Sequence, residues 1–94
     1  MKFEWDPKKN QSNLEKHGID LEEARSVFDD ILAAIIDDRF HSTLEKREII
    51  VGLSSRYRLL YVVFAEKENC IRIISARQLT SAEKRRYERG QFGQ

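Results

Sequence analysis

Ten arginines are spread unevenly along these 94 residues, nine of them between Arg39 and Arg89 and only Arg25 before that stretch. A guanidinium stays charged and offers a planar, bidentate donor. It therefore binds phosphate or stabilises charge on phosphoryl oxygens, but cannot serve as a general base. In the run Ile71-Arg72-Ile73-Ile74-Ser75-Ala76-Arg77, strict alternation puts Arg77 on the side of Ile71, Ile73 and Ser75, at the end of an apolar row. Arg47 likewise starts the row Ile49, Val51, Leu53. Taken singly, each arginine reads as a solvated strand-end charge, and only convergence on one surface would make a site of them.

His17 and His41 are the side chains whose ordinary pKa lies near neutrality. His17 follows Lys16 at a helix end, where it either complements the helix dipole or takes part in chemistry. His41, in a linker between strands, reads as solvent-exposed. The pairs Asp29-Asp30 and Asp37-Asp38 lack the alternating ligands of a calcium loop. Two histidines and one cysteine make a zinc centre improbable, and no metal or cofactor is expected. The four glycines are scattered, so there is neither a phosphate-binding glycine loop nor a nucleophile elbow. Trp5, Tyr57, Tyr61 and Tyr87 are able to stack on bases, but taken singly such residues are more often core or rim aromatics, and Trp5 with Phe3 is expected to pack against the sheet. Tyr87 shares its segment with Lys84, Arg85, Arg86 and Arg89, a basic face suited to RNA or a partner.

These residues need elements to hold them. The length allows one domain, residues 1–94, with a single modest core. Lys2 to Trp5 alternates as a short strand or edge segment does. Asp6-Pro7 opens a helix to about His17 that Gly18 closes, and Asp20 opens a second with Glu23 as a capping-box partner. Ile19 and Ala24 can staple that start, while Leu21, Ala24, Val27 and Phe28 share a face. Strands are expected at Leu32 to Asp38, Arg47 to Leu53, Arg58 to Ala65 and Cys70 to Arg77, with hairpin turns at Ser54-Ser55-Arg56 and Glu66 to Asn69. Thr80 to Glu83 is a capping box for a last helix that Gly90 ends. The order predicts an α+β fold: an antiparallel-rich sheet of four to five strands, two N-terminal helices and one C-terminal helix, with helices on one sheet face.

The net charge of +1 conceals a division. The first 38 residues carry five basic against ten acidic groups, net −5, and the remainder twelve against six, net +6. A near-neutral chain can thus still present a basic surface to a polyanion. The lone Cys70 cannot form an internal disulfide and reads as an apolar filler in a reducing compartment. No apolar run approaches the roughly 20 residues of a membrane span, and the N-terminus lacks a signal peptide's apolar stretch, so a cytoplasmic location is expected.

Phe3-Glu4-Trp5-Asp6-Pro7-Lys8-Lys9, Asn13, Lys16-His17-Gly18-Ile19, Glu23-Ala24, Val27-Phe28 and Asp30 resemble the BrnT toxin family. So do Glu45-Lys46-Arg47 with Gly52, Arg72-Ile73-Ile74-Ser75-Ala76-Arg77, Glu83 and Tyr87. The resemblance runs from Phe3 to about Tyr87. It implies a RelE-like endoribonuclease toxin of a type II toxin–antitoxin pair that inhibits translation and growth. It also implies a BrnA-like ribbon-helix-helix antitoxin in a heterotetramer, bound to operator DNA through the antitoxin. Metal-free cleavage of this kind has the RNA 2′-hydroxyl attack the adjacent phosphorus while the 5′-oxygen leaves. The expected catalytic residues are His17, Glu45, Arg47, Arg77 and Tyr87, with Lys9, Lys16, Arg72 and Arg85 on the RNA; Lys9 or Lys16 with a lowered pKa is an alternative proton carrier. The other reading is a non-catalytic module that binds RNA or protein.

Overall fold

A computed structural model describes residues 1–40 and 45–92. The predicted His41 position lies outside the described residues. Five strands form one sheet in the order β1-β5-β4-β3-β2: β1 Lys2–Glu4, β2 Ala34–Asp37, β3 Glu48–Leu53, β4 Leu59–Lys67 and β5 Cys70–Gln78. All neighbours are antiparallel except β1, which runs parallel to β5. The helices are α1 Pro7–His17, α2 Leu21–Arg25 with a 3-10 turn at Ser26–Asp29, and α3 Ser81–Glu88. No helix among the described residues is long and apolar enough to cross a membrane.

Local signals explain the helix ends. The Asp6 carboxylate accepts the Lys8 N–H at 2.8 Å with Pro7 at the first helical position, and Gly18 closes α1 at φ 69°. Thr80 and Glu83 form the complete capping box of α3. At its other end, Gly90 bonds to the Tyr87 carbonyl and Gln91 to that of Arg86, the paired bonds of a Schellman motif. The α2 capping box does not form. Asp20 caps α2 alone, and Glu23 turns inward to accept Ser54 Oγ at 2.7 Å and Arg58 Nε at 2.9 Å, with Arg58 Nη2 on its other oxygen. That partner is 35 residues away, so local spacing could not reveal it.

Leu21, Ala24 and Val27 are fully buried with Ile50, Leu60, Val62, Ile71, Ile73 and Ala76 on the sheet face covered by α1 and α2. Phe28 bridges Phe3 and Phe64 through edge-on contacts at 5.1 and 5.0 Å. The other face carries a smaller cluster of Ile49, Val51 and Leu79, against which Tyr61, Tyr87 and Phe92 pack. Thus α3 serves the second face, not the one the N-terminal helices cover, which corrects the single-face expectation.

Two strand boundaries also differ. β2 starts at Ala34, not Leu32, because the Asp30 side chain and carbonyl hold the Leu32 and Ala33 N–H groups in a turn. β4 runs on to Lys67, which shrinks the last hairpin turn to Glu68 and Asn69, both left-handed at φ 52° and 65°, as a type I′ turn requires. The Asp30 turn lies directly over Gly52, where a Cβ would stand 2.8 Å from Asp30 Oδ2 and 2.9 Å from Ala33 Cβ. Gly52→Ala is therefore expected to cost about 1–3 kcal/mol, the usual range for overpacking, read as a lower urea midpoint at unchanged m-value.

Candidate functional site

Strand pairing sets out the second face row by row. Val51 lies beside Tyr61 and Tyr61 beside Arg77; Ile49 lies beside Val63 and Val63 beside Ser75. Pairing then jumps from Val63↔Ser75 to Phe64↔Ile73, leaving Ile74 as the extra residue of a β-bulge. The bulge inverts the parity of β5. Ile71 and Ile73 face the buried core, while Ser75 and Arg77 face the opposite side, so Arg77 does not end the isoleucine row. The third row joins Ala65 to Arg72, and continuing the β3 register by one residue puts Arg47 on the other side of Ala65. Two arginines thus flank a small side chain. Arg72, Ala65 and Glu45 line a depression of about 500 Å³ together with Lys2, Glu4, Lys67, Glu68 and Cys70.

Arg77 is held from three sides. Its guanidinium lies over the Tyr61 ring, 4.1 Å from the centroid. Nη1 donates to Glu83 Oε1 at 2.7 Å and to the Gln78 carbonyl at 3.2 Å, while Nη2 donates to Glu83 Oε2 at 3.1 Å. Glu83 also accepts the Thr80 N–H at 2.8 Å, so the carboxylate that caps α3 fixes the plane of the arginine. Capping spacing fully accounts for Glu83 in the sequence, and that hides its second partner. About a third of the Arg77 side chain remains exposed, and Nε takes no partner among the described residues.

Arg47 Nε lies 3.8 Å from Glu45 Oε1. Arg72 donates through Nε and Nη2 to Glu4 Oε2, each at 3.3 Å, and the Cys70 thiol donates to Glu4 Oε1 at 2.9 Å. That bond pushes the Cys70 thiol above its ordinary pKa, so it is not an activated nucleophile; it lines the depression as a donor to Glu4 and not as the apolar filler expected from sequence. Burial raises Tyr61 and Tyr87, which keeps both phenols protonated and able to donate.

The second face therefore carries Glu45, Arg47 and Arg72 at one end and Arg77 and Tyr87 towards the other. His17, Lys16 and Lys9 stand apart on α1, lining a separate depression with Ser12, Asn13, Ile74 and Ser75. A third hollow connects the two regions, since Lys9, Arg72, Ile73 and Ile74 line it with Glu4, Trp5 and Asp6. Arg85 is exposed on α3. Glu4, Lys67 and Ser75 join this surface although nothing in their local pattern marks them.

The hydrogen bonds from Arg77 hold Glu83 down at about 2, and those from Arg58 lower Glu23 from its ordinary value of 4.5. Both groups bind protons more readily in the unfolded chain. Their contribution to stability is then complete above about pH 4.5 and lost as the pH falls towards 2. Thermal melts from pH 6 to pH 2 are expected to show a falling Tm over that window, with a shallower fall in Glu83→Gln.

Three comparisons bear on this arrangement. The family model described as the ribonuclease toxin BrnT of type II toxin–antitoxin systems matches residues 5–83. Among solved structures, the crystal structure of the Brucella abortus ribonuclease toxin BrnT superposes with a TM-score of 0.67 at 24% identity, covering 86% of this chain and 99% of that one. At that identity the likeness is one of fold. No curated protein matches.

Proposed function

Because this chain belongs to the BrnT family of ribonuclease toxins of type II toxin–antitoxin systems, we propose that it is an endoribonuclease whose reaction centre is the second sheet face. The observation that carries this reading is that Arg47, Arg72 and Arg77 share one sheet face, the first two across Ala65 and the third two rows on, beside Tyr61. The cleavage needs no metal, because guanidinium groups supply the positive charge on the phosphoryl oxygens. The RNA 2′-hydroxyl attacks the adjacent phosphorus as its proton passes to a base. The 5′-oxygen leaves with a proton from an acid, giving a 2′,3′-cyclic phosphate and a 5′-hydroxyl.

Arg77, fixed by Glu83 and Tyr61, and Arg47 hold the phosphoryl oxygens. Glu45 beside Arg47 accepts the 2′-proton. Tyr87, kept protonated, donates to the leaving oxygen, and His17 is the alternative proton carrier from the adjoining depression. Arg72 and Arg85 contact the RNA backbone, and Lys9 and Lys16 follow it onto α1. The toxin acts in the cytoplasm, stopping translation and growth. A BrnA-like ribbon-helix-helix antitoxin neutralises it in a heterotetramer that binds operator DNA through the antitoxin.

Incubating the purified chain with end-labelled RNA in excess EDTA tests this. Cyclic phosphate ends, identified by mass spectrometry, are the expected result. RNA bound but left whole, with or without added divalent cations, would instead make the chain a binding module.

A further inference from the structure

The two edges of the sheet are treated differently. Beyond the short β1, the edge of β5 is closed by Asn13, whose amide bonds both backbone groups of Ala76. At the far side β2 has no outer neighbour among the described residues. The bond from Asp38 N to Arg47 O sets the alternation of the β2–β3 ladder, so Ala34 and Ile36 point their backbone groups at β3 while those of Ile35 and Asp37 face outward. Proteins usually blunt such an edge with lysine, proline or a covering element. Here the flanking side chains are apolar and open: Ile31 is 96% exposed, Leu32 78%, Ile35 57% and Phe40 90%. An apolar cluster of this size on a small domain marks an interaction surface.

We propose that the β2 edge is where the antitoxin docks, adding an extended apolar segment flanked by basic residues alongside Ala34–Asp37. This rests on the type II toxin reading. Charge selects the occupant. Residues 29–40 contain four aspartates and one arginine, net −3; Asp38 is buried, while Asp29 and Asp37 stay 78% and 58% exposed beside Arg25 at 3.9 Å and Lys46 at 3.7 Å, which leaves a mildly acidic rim. RNA is repelled by that charge, and a second copy pairing edge to edge would bring two such segments together. A basic protein strand is attracted, and main-chain bonds to Ile35 and Asp37 would hold it. Strands are about 4.8 Å apart, so an added strand lies about 10 Å from β3. There its continuing chain reaches Arg47 and shuts RNA out of the site.

The test uses the full chain and the antitoxin encoded beside it, with Ile35→Asp/Phe40→Asp as one variant and Leu32→Asp as a second, each checked by thermal melting. The expected result is an antitoxin affinity at least about 30-fold weaker, the loss of one interface hot spot, with RNA cleavage retained. In the wild-type complex the Ile35 and Asp37 amides become protected from hydrogen exchange. Unchanged affinity in folded variants overturns the docking surface while leaving the antitoxin reading intact. A wild-type chain that cleaves RNA but binds no antitoxin overturns both. Loss of RNA binding in the variants, or a dimer of the chain alone that they abolish, assigns the edge to RNA or to a second copy and likewise overturns the proposal.

Discussion

Replacing Arg77 by lysine is expected to slow RNA cleavage by about 10²- to 10³-fold, the loss typical of removing one preorganised donor to a developing oxyanion. Lysine keeps the charge. It does not reproduce the planar fork that Glu83 grips with two bonds, nor the stack 4.1 Å over Tyr61. Charge without a fixed direction binds RNA nearly as well in the ground state but no longer aims a donor at the phosphoryl oxygen. The loss should therefore fall on kcat more than on KM. Two companions separate catalysis from folding. Tyr61→Phe keeps the ring under the guanidinium and stays close to wild type, while Glu83→Gln keeps an oxygen for the Thr80 N–H but halves the grip on Arg77 and falls between. A folded Arg77→Lys protein that cleaves at the wild-type rate would remove Arg77 from the reaction centre.

That placement of Arg77 also shows where sequence reasoning works and where it stops. The residues that end helices act within four positions of themselves, so Asp6, Gly18, Thr80 and Gly90 are readable from spacing alone. Strand residues of alternating type announce strands, and all five appear within two residues of their expected bounds. A bulge is different. The single extra residue at Ile74 shifts every later side chain to the opposite face, and no feature of Ile73-Ile74-Ser75 distinguishes it from regular strand. Strict alternation thus put Arg77 in the wrong row. The same bulge sets Arg77 on the face of Arg72 and beside Tyr61, and this brings onto one face what sequence alone presents as isolated strand-end charges. Glu23 illustrates the second limit. Its offset from Asp20 fits a capping box, but an arginine brought near by the fold competes for the same carboxylate and wins, since a charge-assisted pair outweighs one bond to a backbone N–H.

Asn13→Ala is expected to destabilise the chain by about 3 kcal/mol, one of the largest effects for a single polar residue here. Its amide is buried at 5% exposure and makes three bonds: to the Ile19 carbonyl at 2.8 Å, to the Ala76 carbonyl at 2.9 Å, and from the Ala76 N–H at 3.0 Å. Alanine leaves three backbone groups unpaired. Each buried unpaired group costs about 1–3 kcal/mol, and partial access of water at the strand edge keeps the sum near the lower bound. For a domain of this length that lowers Tm by roughly 12–24 °C, a large part of a total stability of about 5–15 kcal/mol. A shift of only a few degrees would mean that water replaces the amide and that the edge of β5 is wet. Asn13→Asp sharpens the reading, because it keeps the acceptor for the Ala76 N–H but sets a carboxylate against two carbonyl oxygens. Its pKa is then raised in the folded state, so the variant regains stability as the pH falls towards the ordinary carboxylate range and loses it as the pH rises. Ala76 is the neighbour of Arg77 in β5, so the bonds that close this edge also fix the backbone from which the arginine projects. Cleavage by Asn13→Ala, measured well below its lowered Tm, should consequently fall in kcat as well, linking an α1 side chain to the site on the opposite face.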